Sequence, residues 1–176
     1  TPEESSAAYC YQGNVTAGVS GGGTASENSL ALIIKDINRN DADNPYTLTS
    51  QNGGTDARPW LHHVIIRNSR NVVLDNLAIF SDPTGEKNDD ALEFDINTSR
   101  WDALGVGEFT NSKIVVKNCM IGSNGFTGVH ASAYDDITFE NNEFEVVKPD
   151  GTDSNIIDYG ASAKFIACSN IKFIRN

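Results

Sequence analysis

The densest group of side chains able to do chemistry lies in NDDALEFD, residues 88–95, where Asp89, Asp90, Glu93 and Asp95 surround Leu92 and Phe94. Hard oxygen ligands this close together suit Ca²⁺, which would relieve their mutual repulsion, so these four carboxylates form the candidate metal set. A solvated acidic strand face is the other reading of the same charges. Two further segments share the strand-like form of ALEFD, namely GVHAS (128–132) and IIDYG (156–160). Setting Leu92, Val129 and Ile157 inward turns Glu93, His130 and Asp158 outward. If these strands stack about 4.8 Å apart, the three side chains meet one ligand. His130 and Asp158 are therefore candidate catalytic groups, with His130 suited to proton transfer or to holding a sugar.

The elements that would position them show in a repeat. VVLDNLAI (72–79), IVVKNCMI (114–121) and ITFENNEF (137–144) share the form apolar-x-apolar-x-Asn-x-x-apolar, and VIIRN (64–68) matches its first five positions. IKFIRN, the last six residues, begins the pattern again with Arg175 in place of Asn. The unequal spacing between copies suggests one coil with loops of different length inserted. Alternating apolar residues with an Asn at each turn predict strands stacked on their own copies, a right-handed parallel β-helix in the all-β class. Asn suits the corner because it tolerates left-handed backbone and can bond the same amide one coil away, so Asn68, Asn76, Asn118 and Asn141 should form a ladder. A two-sheet sandwich would also give short strands but leaves the repeated Asn unexplained. The column Asp75, Lys117 and Glu140 alternates in sign and reads as a structural charge ladder.

The chain divides into an N-terminal segment, 1–45, and coils over 46–176. In GGGTASENSLALIIKDINRN, Ser26 or Asn28 can cap a helix whose apolar positions are Leu30, Ile33, Ile34 and Ile37. Such a helix would cover the open end of the solenoid. No equivalent cap follows IKFIRN, which predicts a continuing chain or a partner at that end.

With 176 residues and a formal net charge of −11, the chain suits one domain whose acidic surface disfavours nucleic acid and membrane surfaces as partners. No apolar run approaches the roughly 20 residues of a membrane helix. Cys10, Cys119 and Cys168 lack the spacing of a zinc or redox motif and allow at most one disulfide. Trp60, Trp101 and Tyr134 are candidate sugar-stacking platforms.

With its Gly-rich start, the repeats, NDDALEFD and GVHASAYDDITFENNEF, the chain resembles the pectate-lyase-like superfamily of β-helix proteins. The resemblance implies a secreted protein that processes an acidic polysaccharide of pectate or alginate type. It also implies Ca²⁺ on Asp89, Asp90 and Glu93, and a basic residue that removes the proton α to a uronate. Arg175 is the candidate for that base, and Lys164, with Trp101 and Tyr134, for substrate binding. Those enzymes carry a Trp-Ile-Asp-His strand where this chain has IVVKN. Polygalacturonases of the same fold are echoed by Asp89, Asp90 and His130, which implies hydrolysis between paired carboxylates. A noncatalytic glycan-binding or surface-structural β-helix is the third reading.

Overall fold

Short segments with apolar residues at every second position can bury one face only by pairing with neighbours of the same kind, and here the neighbours lie one circuit of chain away. The computed structural model describes residues 32–35, 37, 43–50, 58, 60–67, 69–80, 90–95, 112–123, 127–146 and 161–176. Among them are fourteen strands and no helix. They are β1 Leu32–Lys35, β2 Tyr46–Thr49, β3 Trp60–His62, β4 Val64–Arg67, β5 Val72–Asp75, β6 Ala78–Phe80 and β7 Leu92–Asp95. Then follow β8 Ile114–Lys117, β9 Met120–Ser123, β10 Thr127–Ser132, β11 Asp135–Glu140, β12 Glu143–Val146, β13 Ala161–Ile166 and β14 Ser169–Ile174.

Three sheets result. The first runs β1-β4-β7-β10-β13, the second β2-β5-β8-β11-β14 and the third β3-β6-β9-β12. Every pairing is parallel, and the chain returns to each sheet at every third strand. Parallel neighbours need a long crossover, and the strands of the other two sheets supply it.

In the second sheet the repeat stacks in register. Val72 lies beside Ile114 and then Ile137, and Leu74 beside Val116 and then Phe139, all six buried. Each fully buried Val, Leu, Ile or Phe contributes about 1.5–3 kcal/mol, so these columns outweigh any single polar contact in the sheet. The intervening column reads Asp75, Lys117, Glu140 as expected, with Lys117 Nζ 3.4 Å from Asp75 Oδ2.

Behind β5, β8 and β11 the chain turns on one left-handed residue: Asn76, Asn118 and Asn141 have φ of 57°, 54° and 53°. Arg175 takes the same place with φ 54°, so the position is set by the corner and Asn only suits it. The amide ladder is partial. Asn141 Nδ2 donates to Asn118 Oδ1 at 3.4 Å, but Asn118 Nδ2 donates to Asp75 Oδ1 at 2.7 Å, and Asn68 lies outside the described residues. A second amide stack runs inside: Asn142 is buried, its Nδ2 donates to Asn176 Oδ1 at 2.8 Å, and its Oδ1 accepts from the Cys119 N–H at 2.9 Å.

The expected N-terminal helix is corrected at residues 32–35, which form β1 and pair with β4 from Leu32 beside Val64 to Lys35 beside Arg67. Leu32 and Ile34 are buried and Ile33 is half-buried, the two-residue period of a strand. The candidate caps Ser26 and Asn28 and the apolar Leu30 lie outside the described residues.

Tyr134, expected as a sugar platform, is inside the core at 1 % exposure, because the corner after β10 turns its ring inward onto Phe94 at 5.7 Å. Its hydroxyl donates to the Ile66 carbonyl at 3.1 Å and accepts from the Ser69 N–H at 3.4 Å, joining two corners of the coil. Cys119, also fully buried, has its thiol pushed up from 9.0 to about 11, mainly by burial.

Two expectations follow from these buried groups. Tyr134→Phe leaves the Ile66 carbonyl and Ser69 N–H without that partner and should cost about 1–3 kcal/mol in urea unfolding, with the apolar ring still in place. The Cys119 contribution is fully present below the unfolded thiol's pKa of 9.0 and is lost as pH rises through about 11. Unfolding free energy should therefore fall by about 2–3 kcal/mol over that window, and Cys119→Ala should flatten the fall.

Candidate functional site

The site lies on the side of the first sheet away from the core. Its in-register column is Ile33, Ile65, Glu93, His130 and Lys164, one residue from each strand. Glu93 and His130 are therefore side by side, as the aligned strands predicted. The third expected member is corrected: the strand beside β10 is β13, which puts Lys164 next to His130. Asp158 itself lies outside the described residues.

This side of the sheet is not an open acidic face. Ile65 is fully buried, His130 is 6 % exposed and Ser132 4 %. Burial of polar groups here makes their pairing decisive. Asp90, two residues before the start of β7 in a buried position, places Oδ2 2.9 Å from His130 Nδ1. An ionised carboxylate only accepts, so with Asp90 ionised Nδ1 carries a proton and donates it to Oδ2. His63, at the left-handed corner between β3 and β4 with φ 51°, brings Nε2 3.3 Å from Glu93 Oε2. Two histidine–carboxylate pairs are thus adjacent on the sheet.

Three buried atoms in this group have no hydrogen-bond partner: Asp90 Oδ1, His130 Nε2 and Ser132 Oγ. Ser132 lies two residues after His130 on the same side of β10. An unsatisfied buried polar group costs about 1–3 kcal/mol, so three together are a concentrated debit in a chain whose ordinary corners are well bonded.

Asp89 and Trp101 lie outside the described residues, and Asp95 is in β7 with its side chain outside them. Lys164 is exposed. Arg175, the expected base, follows β14 of the second sheet and its guanidinium pairs with Glu140. Among the described residues no group of three or more His, Cys, Asp or Glu side chains is arranged to hold a metal ion. Of the expected calcium set, Asp90 has one oxygen on His130 and Glu93 has one on His63, while Asp89 and the Asp95 side chain lie outside the described residues. Cys119 and Cys168 are free.

His63 and Ser132 are the members that sequence reading missed. Ser132 was legible in principle as the residue two past His130; His63 sits at a corner, where strand periodicity says nothing. No protein-family model matches the chain, and no curated protein and no solved structure matches it significantly.

The Asp90–His130 pair is testable without a ligand. His130→Ala leaves a buried carboxylate unpaired, and each single removal should cost about 3 kcal/mol in urea unfolding. The double variant should lose less than the sum by about 1–3 kcal/mol, the coupling of a direct pair. Additive losses would show that the two side chains do not interact.

Proposed function

We propose that the chain is a right-handed parallel β-helix, secreted, that binds an extracellular polysaccharide and acts on it by proton transfer at His130. The observation that carries this reading is the Asp90–His130 pair, with Oδ2 2.9 Å from Nδ1 and Nε2 without a hydrogen-bond partner. A base held this way accepts a proton at Nε2 while Asp90 stabilises the imidazolium that forms, and such groups contribute about 10²–10⁴-fold to rate. The rotation of the strands through three parallel sheets supports the β-helix, and the pectate-lyase-like resemblance supports a polysaccharide as the substrate class.

Elimination from an acidic polysaccharide is the specific reaction that resemblance implies. In this reading His130 takes the role expected of Arg175, whose guanidinium is engaged by Glu140. Calcium belongs to that reaction as a requirement to be tested, with Asp89, Glu93 and Asp95 the carboxylates remaining to it.

A noncatalytic glycan-binding module is the second reading. It is favoured by one specific observation, that the expected base and one expected metal carboxylate are both already paired.

The deciding experiment incubates the full chain with polygalacturonate, alginate and neutral plant and bacterial polysaccharides, with Ca²⁺ and then with chelator. Ultraviolet absorbance of unsaturated uronate and the appearance of reducing ends are followed. Turnover that His130→Gln lowers by about 10²-fold or more supports the catalytic reading. Turnover unchanged in His130→Gln rejects His130 as the proton carrier. Binding without turnover selects the module.

A further inference from the structure

We propose that the end of the solenoid formed by β13 and β14 is a docking edge that takes an acidic, extended segment of another protein as a further parallel strand beside β14. This contact is separate from any polysaccharide bound on the first sheet and does not depend on one.

The two ends of the solenoid differ in how their interior side chains are covered. In the first circuit Leu32, Ile34, Tyr46 and Leu61 are buried. In the last, Phe165 and Ile171 are half-buried and Phe173 is 50 % exposed, although Ile171 and Phe173 stand in register with the fully buried Ile137 and Phe139. Phe173 stacks on Phe139 at 4.9 Å, so the covered face of its ring is the one toward β11. Ile174, next to it, is 40 % exposed. Large apolar side chains exposed together mark a surface that another chain covers. β14 pairs with β11 on one edge and, among the described residues, with no strand on the other. Main-chain donors and acceptors therefore point outward beside the apolar side chains, the arrangement an extended peptide uses when it adds to a sheet.

Charge selects the occupant. Residues 161–176 carry Lys164, Lys172 and Arg175 and no Asp or Glu, in a chain of formal net charge −11. All three cations are exposed. β11 shows what β14 accepts as a neighbour: Ile137 and Phe139 lie on Ile171 and Phe173, Asp136 Oδ1 is 3.1 Å from Lys172 Nζ and 3.0 Å from Asn170 Nδ2, and Glu140 pairs with Arg175. A strand of the same alternation with acids at its ends repeats these contacts on the open edge, because an ammonium has three donors and a guanidinium five, enough for a second carboxylate each. A second copy of the chain fits worse. Meeting end to end about a two-fold axis, it sets Lys164, Lys172 and Arg175 against their own counterparts. Meeting head to tail, it must offer the first circuit, whose interior is already buried.

Corner hydrogen bonds define the register of the added strand. The Asn76 N–H donates to the Lys117 carbonyl, Asn118 to Glu140 and Asn141 to Ile174, each one circuit on. Arg175 is next in this series of left-handed corners. The added strand thus brings a carbonyl to the Arg175 N–H, with apolar residues over Ile171 and Phe173 and acids beside Lys172 and Arg175.

The test titrates the full chain with a synthetic peptide of residues 135–142, DDITFENN, as an acidic strand of this pattern. One control peptide carries Asp135→Lys, Asp136→Lys and Glu140→Lys, and another Ile137→Ser and Phe139→Ser. Dissociation constants, hydrogen exchange of the β14 amides and the mass of the free chain in solution are measured together. The acidic peptide should bind about tenfold or more tightly than either control, weaken as salt rises, and slow exchange in β14 without releasing β11. Phe173→Ser should weaken binding about tenfold and Phe173→Leu should restore most of it, which separates a lost apolar contact from a lost fold. Equal binding of the Lys-bearing peptide overturns the proposal. A chain that dimerises through this end, and that Phe173→Glu returns to a monomer, overturns it in favour of a second copy. A monomeric chain that leaves the acidic peptide unbound at about 1 mM overturns it as well.

Discussion

Each strand in this protein depends on the strand one circuit before or after it for its backbone partners, so corners must recur at equal positions or the register fails. The left-handed residue behind β5, β8, β11 and β14 of the second sheet meets that constraint. Asn76, Asn118 and Asn141 hold it at little conformational cost. Arg175 holds it against a cost of about 1–2 kcal/mol, and its corner is bonded to the preceding one through the Asn141 N–H and the Ile174 carbonyl. Stacking of corners, rather than the identity of any one residue, is what repeats.

Within that frame the interior changes along its length. Leu32, Ile34, Val64 and Ile66 fill the early circuits, whereas Phe94, Phe139 and Phe165 fill the later ones. Phe139 stacks on Phe173 at 4.9 Å and meets Phe94 and Phe165 edge-on, so aromatic pairing takes over from aliphatic interdigitation. Tyr134 fits this sequence of side chains because its hydroxyl finds partners at an earlier corner. Its ring was legible as aromatic, but whether a corner turns inward is decided by the stack and not by local sequence.

The second sheet was readable from the repeat because three copies carried both the apolar period and the corner Asn. The first strand was not. LALII satisfies a helical stripe and a strand alternation almost equally, and its partner, VIIR, lies about thirty residues away. The side-by-side placement of Glu93 and His130 was legible from aligned strands. Replacement of Asp158 by Lys164 was not, because IIDYG and ASAKF both alternate and the connecting segment hides which of them pairs. Burial of the column was also beyond reach, since alternation distinguishes the two sides of a strand but not whether the outer side is covered.

That last point separates two charged columns that look alike in sequence. On the second sheet, Asp75, Lys117 and Glu140 alternate in sign, Lys117 pairs with Asp75, which also accepts from Asn118, and Glu140 pairs with Arg175, so each acid has a partner. On the first sheet, Glu93 and His130 are neighbours, yet each turns to a different partner, His63 and Asp90. Pairing in this crosswise manner satisfies one atom of Asp90 and one of His130 and leaves the other of each without a partner.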